Sequence, residues 1–178
     1  MVFWRDLSQT GFIAETFNQA EAIYTSGVVA TTDTLNNYLP QAKMGNNYVY
    51  VFYEPENIQN NKQYFGVTGI TEINWDFEGV HGFTPLESYN IDKKIDDGLP
   101  LKGKVLTLDR FYTGGTAYIT NGNQSVDPLS PSGKLNYSQL PMEGTCYHNN
   151  GNASNPTEYT VAEIAADNKN CSLSFEFR

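Results

Sequence analysis

The sequence predicts an α+β fold, one domain over residues 1–178, in which an antiparallel sheet of about four strands carries one well-signalled helix. Three observations point there. Four runs, residues 47–54, 63–73, 104–110 and 170–177, concentrate β-branched and aromatic side chains and are separated by stretches rich in Asn, Gly and Pro. The run "TPLESYNIDKKID" (84–96) opens instead with residues that start helices. The length of 178 residues suits a single domain, which buries roughly 70% of the surface its unfolded chain exposes.

At the N-terminus, "MVFWRDLSQTGFI" predicts a short helix over residues 3–9 that Gly11 ends, with Phe3, Trp4 and Leu7 forming an apolar stripe. Two turns of helix are unstable alone, so residues 1–13 read as the stub of a longer helix. Residues 14–46, punctuated by Gly27, Asn36, Asn37, Pro40 and Gly45, predict a long, partly ordered connection. "NYVYVFYE" (47–54) sets Tyr48, Tyr50 and Phe52 on one face and Val49, Val51 and Tyr53 on the other, the pattern of a strand covered on both sides. "QYFGVTGITEI" (63–73) is a second strand, reached through a turn at 57–62. In 84–96, Thr84 is the expected N-cap, Pro85 takes the first helical position and Glu87 closes a capping box. Ile91, Ile95 and Leu99 predict the apolar edge of this helix, Gly98 a left-handed residue past its end, and Pro100 a stop. "KVLTLDR" (104–110) gives a third strand and "TAYIT" (116–120) a further short one. Residues 121–160 read as loop and "TVAE" (160–163) as the start of a short helix. The ending "CSLSFEF" (171–177) reads as a strand with Leu173, Phe175 and Phe177 on its single buried face.

Charge removes some functions. A net charge of −9, with only 11 basic residues, leaves no field to draw in nucleic acid or anionic lipid. Polarity comes from amides: 19 Asn outnumber Lys and Arg together, and with 12 Tyr and 10 Phe they predict a β-rich chain with long polar loops. No apolar run approaches the ~20 residues of a membrane span, and no secretory signal is visible. Cys146 and Cys171 suggest a disulfide closing a loop of about 25 residues, for which chain entropy gives roughly 3 kcal/mol; two free buried thiols are the alternative.

Asp96 and Asp97, in "IDKKIDDGLPLKGKV" (91–105), fall at the negative end of the predicted helix, an unfavourable place for carboxylates. Three roles compete. "GLPLKGKV" (98–105) has the glycine and lysine spacing of a phosphate loop, but Val105 stands where Ser or Thr would bind magnesium. The stretch also follows a helix and leads into a strand, the reverse of the required order, so no nucleotide is expected. Asp92, Asp96 and Asp97 offer hard oxygen ligands, yet calcium-loop spacing is missing and Lys93 and Lys94 intervene. The favoured role is structural: Asp96, Asp97, Gly98 and Pro100 form a turn whose carboxylates pair with Lys93 or Lys94, or cap amides of the loop that follows. No metal or cofactor is expected. Catalytic sets are thin as well, since His81 and His148 fall in expected solvated loops and no G-x-S-x-G elbow occurs, so no catalytic residue is assigned. N-x-S sequons at Asn123, Asn136, Asn152 and Asn170 are what an Asn-rich chain yields by chance. Exposed aromatic rings that stack on sugars would make the chain an extracellular adhesin or carbohydrate-binding module, the alternative function.

Three stretches resemble the type IV pilins and type II secretion pseudopilins. "FWRDLSQTGFI" (3–13) is similar to the end of the long pilin helix, where Trp, Leu and a Gly-Phe-Ile turn recur. "TPLESYNIDKKIDDGLPLKGKV" (84–105) resembles a segment of a bacterial prepilin subgroup, and "NCSLSFEF" (170–177) that subgroup's last strand. The family's basic leader, its cleavage glycine and the apolar helix with a glutamate at position five are absent from this chain, so the resemblance implies that they were removed upstream of it. It further implies a non-catalytic structural subunit (pilin, minor pilin or pseudopilin) of an extracytoplasmic filament. Its partners would be other such subunits and, through the missing helix, the inner membrane. The resemblance places the chain in the periplasm or, once assembled, at the cell surface. Subunit contacts would come from Phe3, Trp4 and Leu7, and Cys146 and Cys171 would match the family's cysteine-bounded C-terminal region.

Overall fold

The uninterrupted strand pattern of residues 63–73 forms the longest strand of the fold, and the main sheet is built around it. The computed structural model describes residues 2–19, 30–53, 63–73, 77–109, 118–121, 124–126, 138–161 and 168–177. In chain order the elements are α1 (Val2–Gln9), β1 (Ala30–Thr31), a 3-10 turn (Leu35–Asn37), β2 (Tyr48–Tyr53), β3 (Gln63–Ile73), β4 (Phe77–Val80), α2 (Pro85–Ile95), β5 (Val105–Leu106), β6 (Leu108–Asp109), β7 (Tyr118–Asn121), β8 (Gln124–Val126), β9 (Tyr147–His148), β10 (Glu158–Tyr159) and β11 (Leu173–Phe177). The fold class is α+β, with two helices and antiparallel pairing throughout.

The first half of β3 lies between β2 and β11, and its second half pairs with β4 and, at Glu72 and Ile73, with β1. β11 pairs on with β5, completing a six-stranded sheet, while β9–β10 and β6–β7–β8 form two smaller ones. The expectation of about four strands is therefore too low. β1 and β5 are two residues long, below the length at which alternation marks a strand. For the same reason the region 121–160, expected as loop, holds β8, β9 and β10, and the connection 14–46 holds β1 and a 3-10 turn. The single strand expected at 104–110 divides at Thr107, whose backbone N–H and hydroxyl both donate to Pro100 O, at 2.9 and 3.0 Å, and leave the ladder. The expected turn at 57–62 lies outside the described residues, as do residues 162–163 of the expected helix at 160–163, whose Thr160 and Val161 are not helical.

The core sits on both faces of the sheet. Tyr50, Tyr64, Ile70, Ile73, Val105 and Leu173 are buried to within 2%. Tyr50 stands opposite Gly66 in register, and its ring occupies the space a β-carbon at Gly66 would need, so glycine is required there by close approach. β11 departs from its expected single buried face: Ser172 and Ser174 are as deeply buried as Leu173, while Phe175 and Phe177 are half-buried. β11 is an interior strand, covered on both faces at its start, and Ser172 is satisfied there by a 2.8 Å contact with the Thr68 hydroxyl. At its far end Phe177 stacks on Phe65 at 4.1 Å between ring centroids. α1 lies over that aromatic pair, with Phe3 and Trp4 at 6.3 and 6.1 Å from Phe65.

Candidate functional site

The segment that the sequence singles out as a reversal is held by side-chain hydrogen bonds at both ends of α2. α2 starts on a full capping box: Thr84 Oγ1 accepts the Glu87 N–H at 3.2 Å and Glu87 Oε2 accepts the Thr84 N–H at 2.8 Å. Its buried residues are Pro85, Ser88 and Asp92, not the apolar edge predicted from Ile91, Ile95 and Leu99. Ile95 is 58% exposed, whereas Asp92 is fully buried. The helix turns its carboxylate inward because two donors wait for it. The Tyr159 hydroxyl of β10 donates to Asp92 Oδ2 at 2.9 Å, and the Gly98 N–H to Asp92 Oδ1 at 3.1 Å. Gly98 reaches this position at φ +75°, in the left-handed region that a side chain disfavours.

The two neighbouring aspartates act on the chain beyond. Asp96 Oδ2 accepts the amides of Lys104 and, at 3.3 Å, Val105; Asp97 Oδ1 accepts the Leu99 N–H at 2.9 Å. Of the two roles the sequence left open for these carboxylates, the geometry is that of amide capping. Lys93 instead donates to the Tyr89 hydroxyl at 3.0 Å and sits over that ring. Hydrogen bonds to backbone amides offset the few tenths of a kcal/mol that a carboxylate loses near a helix C-terminus.

Asp92, Asp96 and Asp97 bring one carboxylate oxygen each within 4.8 Å of one another. Burial, reinforced by the Asp97 and Asp96 charges and opposed by the Tyr159 and Gly98 donors, pushes the Asp92 carboxyl up to about 6. Burial and then the Asp92 charge hold the Tyr159 phenol far above its ordinary value, so it stays a neutral donor.

Tyr159 belongs to a loop that a disulfide closes. Cys146 and Cys171 are bonded, with Cα atoms 5.1 Å apart. Cys171 O accepts the amides of Gly82 and Phe83, and Phe83 O accepts those of Asn170 and Cys171, which ties the approach to α2 to the start of β11. A disulfide points to an oxidising, extracytoplasmic compartment. No helix among the described residues is long and apolar enough to cross a membrane.

The histidines differ from their expected solvated loops. His148 lies in β9, 8% exposed, with Nδ1 accepting the Asn150 N–H at 3.3 Å, and burial lowers its pKa. His81 is half-buried, with Nδ1 3.2 Å from Ser172 Oγ. That serine is 1% exposed and already engaged with Thr68, so this Ser–His pair is closed to a substrate. Of the sequons, Asn152 is exposed, Asn170 is buried, and Asn123 and Asn136 lie outside the described residues.

Two surface features complete the picture. Phe3, Trp4 and Leu7, expected at an assembly interface, are half-buried on α1. A cleft of about 210 Å³ opens where the 44–47 turn, the Gly82–Phe83 segment, α2 and Lys169 meet. The Asp92–Tyr159 pair is the feature sequence reasoning missed. Ser88 and Asp92, four apart on one helix face, were its available signal; nothing in the spacing locates Tyr159, 67 residues away. No family model, curated protein or solved structure matches the chain.

Proposed function

We propose that the chain is the outer, soluble domain of a structural subunit of an extracytoplasmic filament of the type IV pilus or type II secretion kind, with no catalytic role. The observation that carries this reading is the seating of α1. Eight residues of helix cannot hold themselves in water, and no residue of α1 is fully buried. It is held by aromatic contacts of Phe3 and Trp4 with Phe65 of the sheet and of Trp4 with Phe17, while Val2, Asp6 and Gln9 stay exposed. A short helix fixed across a sheet by one face suits the end of a longer rod that continues into an assembly. The disulfide agrees with a surface or periplasmic setting.

The test is the coding sequence directly upstream of Met1. A short basic leader, a glycine at a cleavage point and an apolar stretch of about 20 residues with an early glutamate are expected, together with membrane residence of the product made from it. An ordinary secretory signal ending at this position would overturn the reading in favour of a free extracellular domain.

A further inference from the structure

We propose that Phe12 of one copy of this chain inserts into the cleft between the 44–47 turn and α2 of the next, a head-to-tail contact between unlike surfaces. The inference rests on the filament reading and names one contact within it.

Phe12 is the most exposed large apolar side chain among the described residues, at 80%. It is also held in place. The Phe12 N–H donates to Leu7 O at 3.0 Å and the Gly11 N–H to Ser8 O at 3.1 Å, the double bond pattern that closes a helix with a left-handed glycine, here at φ +74°. In that motif the residue after the glycine normally packs back on the last turn, whereas Phe12 points away from its own chain. The following segment is pinned as well, because Ser8 Oγ donates to Glu15 O at 2.8 Å and accepts the Phe17 N–H at 3.2 Å. With the backbone already fixed, docking costs only the rotamer freedom of the ring itself.

The cleft supplies the matching hole. Met44, Phe83 and Ile91 give it an apolar lining, with Asn47, Glu87 and Lys169 around them. A cavity of about 150 Å³ lined by aliphatic and aromatic groups takes up benzene, so about 210 Å³ accommodates the ring of a phenylalanine. Glu87 is committed to the Thr84 amide and tolerates the positive edge of an aromatic ring. Lys169 makes no ion pair among the described residues, and neither does Glu15, three residues past Phe12. In a chain of net charge −9, a lysine beside the hole and a glutamate beside the knob set the polarity of the contact.

No residue of α1 or of the Phe12 segment lines the cleft, so knob and hole are separate patches. Unlike patches that meet exclude a closed two-fold dimer and generate an open chain of subunits wherever the rotation between copies does not close a ring. A single knob is a weak contact alone; it acts when other elements hold neighbouring subunits at an effective concentration of the order of millimolar.

Capturing the contact covalently tests it. The native cysteines are consumed in the disulfide, so Ala14→Cys and Asn46→Cys variants of the full chain, which keep Phe12 and Met44 in place, can be joined selectively by a short bismaleimide. Both positions are exposed, so the fold tolerates the changes. At about millimolar protein, a mixture of the two variants is expected to give cross-linked dimer at several times the yield of either alone, the double variant a ladder of oligomers, and Phe12→Ser in the Ala14→Cys partner or Lys169→Glu in the Asn46→Cys partner a several-fold lower yield. A mixture no better than the single variants overturns the contact. If that occurs while the native upstream sequence encodes the leader and apolar helix, the contact falls and the filament reading stands. A ladder without such an upstream segment leaves the contact standing and removes the filament reading.

Discussion

Replacing Asp92 with Asn should stabilise the protein at neutral pH, although it removes a buried hydrogen-bonded carboxylate. Asp92 is fully buried, and its carboxyl is pushed from 3.8 to about 6. Between these values the folded chain binds a proton that the unfolded chain releases. The stability this gives is complete below about pH 4 and is lost as pH rises through about 6. A shift of about two units, at about 1.4 kcal/mol per unit, sets the cost of the ionised form at about 3 kcal/mol. Asn keeps both contacts: its Oδ1 accepts the Gly98 N–H, and its amide donates to the Tyr159 oxygen. Chemical denaturation of both proteins, disulfide intact, followed by tryptophan fluorescence at pH 4, 5, 6 and 7, reads the difference. Wild type and Asp92→Asn should coincide at pH 4 and diverge with rising pH. By pH 7 the variant should gain up to about 3 kcal/mol, or about 6–12 °C in Tm for a chain of this size. The background from the other carboxylates is common to both proteins and cancels. A variant less stable by the same amount at every pH would refute the reasoning, because the two donors would then outweigh the burial of charge.

Other outcomes follow from the same geometry. Thr84→Ala removes the Oγ1 acceptor of the capping box and should cost about 1 kcal/mol, lowering Tm by about 2–4 °C in a circular dichroism melt; an unchanged Tm would remove the capping box from the account. Mass spectrometry of alkylated, unreduced protein should find Cys146 joined to Cys171, and Cys146→Ser/Cys171→Ser should lose about 3 kcal/mol; two alkylatable thiols in folded protein would contradict the pairing. Millimolar calcium should leave Tm unchanged, since Asp92, Asp96 and Asp97 already accept backbone and hydroxyl donors; a rise of several degrees would show that the cluster takes a cation.

What the sequence made legible was local. Strand β3 was readable to its boundaries because a run rich in β-branched and aromatic residues follows directly on an Asn-rich turn. The start of α2 was readable because Thr84, Pro85 and Glu87 act within one turn of each other. The buried face of α2 was misread for a physical reason. Apolar spacing selected Ile91 and Ile95, but a helix buries the side that finds partners, and Asp92 finds two, one of them 67 residues away. The serines of β11 follow the same rule. Ser172 alternates with apolar residues as a solvent-facing position would, yet a threonine on the neighbouring strand lets it be interior. Periodicity reports the polarity of a side chain, whereas burial depends on what the rest of the chain brings to meet it.

The loop between the cysteines shows how far that reasoning extends. Residues 145–160 hold only two strands of two residues each, so no ladder of appreciable length fixes them. Ties to other segments do instead, among them Cys146 to Cys171, the Thr160 N–H to Cys146 O at 2.9 Å, and Tyr159 to Asp92. The first anchors the loop to the chain entering β11 and the last to α2, and the Phe83–Cys171 backbone pairing joins those two anchors to each other. The Asp92 contact thus closes a circuit already formed by covalent and main-chain bonds. Breaking the disulfide leaves the tyrosine as the side-chain tie between the loop and α2, so the two perturbations should be coupled rather than additive, costing more together than the sum of their separate effects. The two Asx-type caps at Asp96 and Asp97 fix the reversal after α2 on which that circuit rests, which is why carboxylates occur where the helix dipole alone would exclude them.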